Sequence, residues 1–576
     1  MKMQRTTEDI PPHLCRYLIQ QDPSLYTPID QACWRFILKL SQAFFEKNAH
    51  QIYLNGLRET GISVEKIPLI EEMDECLRKF NWRAVSVSGF IPPAAFMEFL
   101  SLGILPIACD MRKLEHIAYT PAPDIVHEAA GHAPIIADPE YSEYLRSYGE
   151  ISKKAISSIE DLHVYEAIRH LSEMKEDPNS TPDDITRAQE ALNLAIHSVT
   201  YTSEATLLAR MGWWTFEYGL IEGTSQSQIY GAGLLSSLSE GFHFLDQNVK
   251  KIPFSIDCTE LAYDITRPQP QLFVAPDFHT LRKALIELEN QMAFRKGGIE
   301  SLEKALRCKT VTTTVMDSGA QISGILKKIR RNQIGEPIYL NFDGPTQISF
   351  EDQEIPGQGV EYHRSGFGTP LVEITETLLQ RWQNHQGIHS SVQLSSGVRI
   401  EGIFLKSIQY RGQTVLISFQ NCTVSYDGEI LFHPNWGTYD MICGKKVVSV
   451  FGGPADRENF KTPQSSSISS TPRQKSNLTP SNEPLSRLYQ EVRMIRERPR
   501  LLESDAFRLK NIHLELEERY PTDWLLRFEL LEILVTHQIQ PEWGAALKNT
   551  LKDISHHSPE KAELIQRGVS LLKSSL

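Results

Sequence analysis

Pro123-Asp124-Ile125-Val126-His127-Glu128-Ala129-Ala130-Gly131-His132 sets two imidazoles five residues apart, with a carboxylate between them and a glycine just before the second. On an ideal α-helix, residues five apart point about 140° apart, too wide for two ligands to converge. The zinc-protease spacing is four, one turn along a single face. Gly131 offers a way out, because glycine ends a helix in a left-handed conformation and lets the next residue swing back. Val126 and Ala129-Ala130 make the surroundings apolar, which keeps imidazoles neutral and able to ligate. A histidine pair taken alone is more often structural. Asp124 and Glu128 beside it, and a distant carboxylate, favour a metal site.

That carboxylate is Glu217, in Met211-Gly212-Trp213-Trp214-Thr215-Phe216-Glu217-Tyr218-Gly219-Leu220. An acid among aromatics and glycines is costly to bury unless it is paired or bound to a metal. Two neutral histidines and one carboxylate leave coordination positions open, as in non-haem Fe(II) oxygenases. A structural zinc site is instead closed by four ligands, usually including cysteine.

Four ordered motifs now coincide: Pro123-Asp124-Ile125-x-His127-Glu128-x-x-Gly131-His132, Trp213-x-Thr215-x-Glu217-x-Gly219-Leu220, Tyr230-Gly231-Ala232-Gly233-Leu234-Leu235-Ser236-Ser237, and Tyr263-Asp264-Ile265-Thr266. In these the chain resembles the pterin-dependent aromatic amino acid hydroxylases, bacterial phenylalanine 4-hydroxylase type, over about residues 10–297. The resemblance implies a mostly α catalytic domain and Fe(II) held by His127, His132 and Glu217. It implies an amino acid carboxylate bound by Arg112, whose planar fork suits that job, with Thr120 and Ser236 adding hydroxyls. It implies Trp213 and Ile265 beside the substrate ring. Phe96, Glu128, Gly89 and Phe90 would contact the tetrahydropterin. The glycines of Tyr230–Ser237 lack the spacing of a phosphate loop and are expected to let backbone approach the substrate. Gly212 replaces a tyrosine of animal relatives, so a more open pocket is expected. Pro93 replaces a hydroxyl residue that touches the pterin in relatives.

The implied reaction is hydroxylation of an aromatic ring, with O2 as co-substrate and the oxygen chemistry delegated to the cofactors. Ile265 stands where tyrosine-specific relatives carry an acid. An apolar neighbour leaves a phenolic hydroxyl unpaired, so phenylalanine is expected, then tryptophan, then tyrosine. Two other readings stay open: a zinc hydrolase with Glu128 as base, and a scaffold whose hydroxylase core is vestigial. The five-residue histidine spacing and the Arg112, Thr120 and Ser236 set argue against the hydrolase.

With 576 residues, several domains are expected. The division predicted is a catalytic domain over 1–300 with a helical insertion near 153–199, a β-rich region over 311–452, a disordered Ser/Pro-rich linker over 453–484, and a helical module over 485–576. The β-rich region carries an internal echo. Gly324–Ile329, Ile338–Phe342 and Thr346–Phe350 match Gly402–Ile408, Val415–Phe419 and Thr423–Tyr426 about 77 residues on, which predicts either two small barrels or one pseudo-symmetric sheet. His363 and His433 occupy the same region of each copy and are assigned no metal. The helical module is expected to serve a homo-oligomer or a protein partner. A net charge of −13 argues against a nucleic-acid partner. No apolar run suits a signal peptide or a membrane span. Eight scattered cysteines without CxxC spacing fit reduced thiols in the cytoplasm.

Overall fold

The structure, a computed structural model, describes residues 10–89, 91–118, 122–177, 179–223, 226–265, 267–461 and 484–574. The catalytic half is built around the helix Pro28–Asn48, started by a capping box between Thr27 and Asp30 with Pro28 at the first helical position. Most of its apolar positions, Ala32 to Leu38, Leu40 and Phe45 among them, are buried. Beside it, the parallel strands Arg83–Val87 and Ile104–Ala108 pair directly, joined by the crossover helix Pro93–Ser101 that carries Phe96. A small mixed sheet of Gln228–Ile229, Leu220–Ile221, Gln271–Ala275 and Lys250–Pro253 lies after the second candidate motif.

The expected insertion is a helical hairpin, Ile159–Glu176 and Pro182–His197, each helix opened by a capping box, Ser158 with Asp161 and Thr181 with Asp184. The two helices bury a small core of their own around Leu171, Ala188 and Leu192.

The β-rich region forms two separate open sheets rather than closed barrels or one sheet. The long hairpins Ala320–Arg331 with Pro337–Phe350, and Arg399–Tyr410 with Gln413–Tyr426, anchor them. Register breaks fall at Ser323/Ile325, Leu326/Lys328 and Arg330/Arg331 in the first, and at Glu401/Ile403, Phe404/Lys406 and Ile408/Gln409 in the second, each pair 78 residues apart. Helices Gly298–Cys308 and Glu376–Asn384 precede the two sheets at the same offset. Leu302, Ala305 and Cys308 join the core under the first sheet, so the boundary expected at 300–311 falls inside a packed unit. The last strand, Val447–Gly452, returns to pair with Val311–Met316.

Two further expectations are corrected. Residues 453–461 are not part of a free linker: Gly453 N–H donates to Val311 O and Ala455 N–H to Ser323 Oγ. Residues 462–483 lie outside the described residues. The C-terminal helices are not a separate module either, because their apolar faces join the catalytic core. Phe36 meets Trp524 and Phe528 edge-to-face, each with centroids 4.9 Å apart. Leu525–Thr536 is buried on every side, from Leu525 to Leu534.

Candidate metal centre

The two histidines converge by a different device from the one expected. Val126–His132 is a π-helix, in which i→i+5 bonding brings residues five apart to nearly the same face. Ala133 N–H donates to Glu128 O, an i→i+5 bond that closes this turn. Gly131 does not take a left-handed conformation. Its role is close approach: a Cβ there would lie 2.8 Å from Ala232 O. The second motif repeats the device, with Trp213–Glu217 also a π-helix and Tyr218 N–H donating to Trp213 O at 2.8 Å.

These turns bring Glu217 onto both imidazoles. Its Oε1 lies 3.2 Å from His132 Nε2 and its Oε2 lies 3.4 Å from His127 Nε2. Glu128 adjoins the same space: His127, Glu128 and His132 each offer a ligand atom within 4.8 Å of the others. Gly231 permits this packing, since a Cβ there would lie 2.4 Å from Glu217 O. Gly231 and Gly233 of the third motif thus let backbone pack closely on Glu217.

Electrostatics match a cation site. Burial pushes His127 down to about 4, which leaves it neutral near pH 7. Burial opposes charge on His132 as well, but the Glu217 carboxylate outweighs it and raises that imidazole. Burial opposes ionisation of Glu217, and the two imidazoles overcome it, holding its carboxyl below the usual range. Burial lifts Glu128 to about 8. Glu128 Oε2 is buried without a hydrogen-bond partner among the described residues, a state polar atoms in proteins seldom keep. Two imidazoles and two carboxylates around one space fit a divalent cation.

Ser236 supports the imidazole of His127. Its hydroxyl donates to Ala232 O at 2.7 Å, so its oxygen is left to accept from His127 Nδ1–H at 2.9 Å. That bond leaves the lone pair on His127 Nε2, facing Glu217. Arg112 is fully buried, and its fork already grips Asp124, Nε to Oδ2 at 2.7 Å and Nη2 to Oδ1 at 2.8 Å. Its Nη1 donates to Ser236 O at 2.9 Å. Of five N–H groups, one on each Nη nitrogen has no partner among the described residues. Asp124 was a neighbour without a role in the sequence. Here it also accepts His127 N–H at 3.0 Å and ties Arg112 to the start of the π-helix.

A family model for biopterin-dependent aromatic amino acid hydroxylases matches residues 20–165 and 184–335, more than half the chain. The chain belongs to this family. The unmatched residues between the two stretches lie within the helical hairpin. Curated relatives include the phenylalanine-4-hydroxylase of Ralstonia nicotianae, 27% identical over 283 residues, covering 47% of this chain and 76% of the relative. That of Mesorhizobium japonicum is 26% identical over 306 residues, covering 52% and 93%. Among solved structures, phenylalanine hydroxylase of Chromobacterium violaceum with bound iron(III) and 7,8-dihydrobiopterin is 24% identical, with a TM-score of 0.39, covering 48% of this chain and 86% of that one.

The remaining expected residues of this hydroxylase are distributed around the centre. Trp213 sits on the π-helix of Glu217 and is sandwiched between Tyr218 (4.5 Å) and Tyr263 (4.2 Å, planes 9° apart). The two tyrosines were missed, although Tyr263 opened a quoted motif. Gly212 does not open the pocket, because a Cβ there would lie 2.7 Å from both Tyr148 Oη and Phe216 Cζ. Ile265 is half-buried in a turn beside Tyr263. Phe96 is half-buried, and Gly89 adopts φ +54°. Thr120 and Phe90 lie outside the described residues. His363 is a buried partner of Gln358, Nε2 to Oε1 2.7 Å, so no metal is assigned there.

Proposed function

We propose that the chain converts phenylalanine to tyrosine, with Fe(II) held by His127, His132 and Glu217 and a tetrahydropterin as reductant. The observation that carries this reading is the convergence of Glu217 on both imidazoles while Ser236 fixes the His127 ring. Bound together, Fe(II) and the pterin supply the activation of O2 that closed-shell molecules resist.

The protein's part is geometry. Glu217 and two neutral nitrogens leave positions open for O2 and substrate. Arg112, oriented by Asp124, offers its two remaining N–H groups to the amino acid carboxylate, and Thr120 adds a hydroxyl. The rings of Trp213 and Tyr263 form an aromatic wall, and Ile265 gives a phenolic hydroxyl no partner. That favours phenylalanine, with tryptophan the second substrate to test. Phe96, Glu128, Gly89 and Phe90 are assigned to the pterin. The expected scaffold role is less favoured, because the buried donor set is intact. A zinc hydrolase is disfavoured by the family. All eight cysteines are free thiols, and among the described residues no helix is long and apolar enough to cross a membrane; both support a cytoplasmic setting. We assign the recurring β sheets to a duplication, on the shared offset of their register breaks. We assign the C-terminal helices, on which Met494, Phe507 and Leu514 are exposed, to contact with a protein partner or a second copy.

Anaerobic loading with Fe(II), followed by product analysis with tetrahydrobiopterin, O2 and each aromatic amino acid, tests the proposal. Tyrosine from phenylalanine is expected. His127→Ala and Glu217→Gln should lose both bound iron and turnover by more than about a hundredfold, exceeding the loss typical of a residue that merely supports a ligand. Normal iron content in either variant refutes the ligand set.

A further inference from the structure

The chain beyond the family match reaches back onto the helix that carries Phe96. Phe96 and Glu98 are two residues apart on Pro93–Ser101, so they occupy opposite flanks of the helix. Glu98 Oε2 accepts from two distant segments: His13 Nε2 at 3.0 Å and Arg457 Nη1 at 2.6 Å. Arg457 lies just past the last strand of the β-rich region. Its Nη2 donates to Lys153 O at 2.7 Å. Lys153 Nζ in turn donates to Ser101 Oγ at 3.2 Å, and Ser101 Oγ to Glu98 O at 2.7 Å. One guanidinium thus closes a ring of contacts between the β-rich region, the end of the helix Pro139–Ser152 and the helix of Phe96.

The contact is sheltered, with side-chain exposures of 20% for Arg457 and 13% for Glu98. Burial opposes ionisation of Glu98, yet His13 and Arg457 hold its carboxyl down to about 2. The neighbouring backbone is pinned too: Gly452 N–H donates to Lys154 O at 2.9 Å, and Thr310 Oγ1 to Ser157 O at 2.6 Å. On its other flank the helix of Phe96 presses on Gly149, where a Cβ would lie 2.6 Å from Ser101 N.

We propose that Arg457 is a positioning residue for the pterin: by gripping Glu98 it fixes the helix Pro93–Ser101 and so the placement of Phe96. This rests on the assignment of Phe96 to the pterin. It gives the β-rich region a job in the hydroxylase reaction, as a brace on the cofactor side.

The test uses the full chain with Arg457→Ala, Arg457→Lys, Glu98→Gln and Phe96→Ala. Binding of 7,8-dihydrobiopterin is measured by calorimetry, and KM for tetrahydrobiopterin and for phenylalanine by steady-state turnover. Arg457→Ala and Glu98→Gln should weaken dihydrobiopterin and raise the pterin KM by about threefold to tenfold, the scale of a single modest ion pair. The phenylalanine KM should stay unchanged, and Arg457→Lys should recover part of the loss. Unchanged pterin binding in both variants overturns the brace. So does a fall in kcat alone, or an equal rise of both KM values, since either reports general loosening. Phe96→Ala separates the two layers: if it leaves pterin binding intact, the assignment of Phe96 falls. If it weakens pterin while Arg457→Ala does not, only the brace falls.

Discussion

Two clusters of ionisable side chains in this molecule are built on opposite plans. Where the C-terminal helices meet Pro28–Asn48, Arg35 bonds Glu65 at 2.6 Å and Glu532 at 2.9 Å, Lys39 also pairs with Glu532, and Arg496 pairs with Glu529. Three acids face three bases, and each carboxylate has a cation of the chain itself. Around His127, two carboxylates and two imidazoles converge with no lysine or arginine among the ligand atoms, and Glu128 Oε2 has no hydrogen-bond partner among the described residues, with His132 Nε2 at 4.0 Å. The first cluster is electrically closed and serves packing. The second has no lysine or arginine at its centre and turns imidazole nitrogens and carboxylate oxygens on one another, donors that a divalent cation satisfies.

The largest expected effect sits in the closed cluster. Glu532→Ala removes the carboxylate shared by Arg35 and Lys39 and leaves both buried or half-buried cations without it. Breaking such a pair typically costs about 3–5 kcal/mol, so the urea midpoint should fall well below that of the parent. Arg35→Met combined with Glu532→Met should lose less than the single change, because the two charges leave together. Iron content should not change in either variant. If Glu532→Ala empties the metal site instead, the two clusters are coupled and the contrast between them fails.

Ser236→Ala probes the open cluster at one remove. Without the hydroxyl, nothing in the described contacts fixes His127 Nδ1, and the ring is free to turn. Loss of such a supporting bond typically costs about 10- to 100-fold in metal affinity. The measurement is iron affinity by competition with a chromophoric chelator. An unchanged affinity paired with a raised phenylalanine KM would restore Ser236 to the substrate-binding role the family resemblance implied.

How much of this was readable beforehand differs between the same two regions. The histidines, Glu217, the helical hairpin and the recurring β pattern follow from residue type and spacing. The π-turn did not, because a glycine before His132 serves equally as a left-handed helix stop and as a point of close approach. The backbone conformation of Gly131 and Ala232 pressing on it distinguish the two. The contact of Ser236 with His127 was not legible for a related reason: the sequence does not show that its proton goes to Ala232 O, which leaves its oxygen to the imidazole. For the C-terminal helices, periodicity gives an apolar face but not its partner. Leu525–Thr536 is apolar nearly all round, a pattern that belongs to buried helices, and that signal favoured an integrated core over a free module. Arg457 carried no motif at all, since its meaning lies in a contact 359 residues away in sequence.

The smallest and most specific test is pH. His132 is raised above its ordinary value because the pull of Glu217 exceeds the penalty of burial. In the metal-free chain the His132–Glu217 pairing therefore stabilises the fold fully below the ordinary histidine pKa and is lost as pH rises through the raised one. A metal needs the opposite state, with His132 neutral, so binding must displace that proton. Iron affinity should increase from pH 6 to pH 8 by up to about tenfold per pH unit for one displaced proton. Anaerobic calorimetry in buffers of different ionisation enthalpy would count the proton directly. The closed cluster has no titrating histidine, but burial holds its Lys39 down to about 8, so the stability lost in Glu532→Ala should stay nearly constant only on the acid side of that range, from pH 6 to pH 7. An iron affinity that is equally flat would mean that His132 does not ligate. The buried Glu128 Oε2 beside it, without a hydrogen-bond partner among the described residues, would then need another explanation.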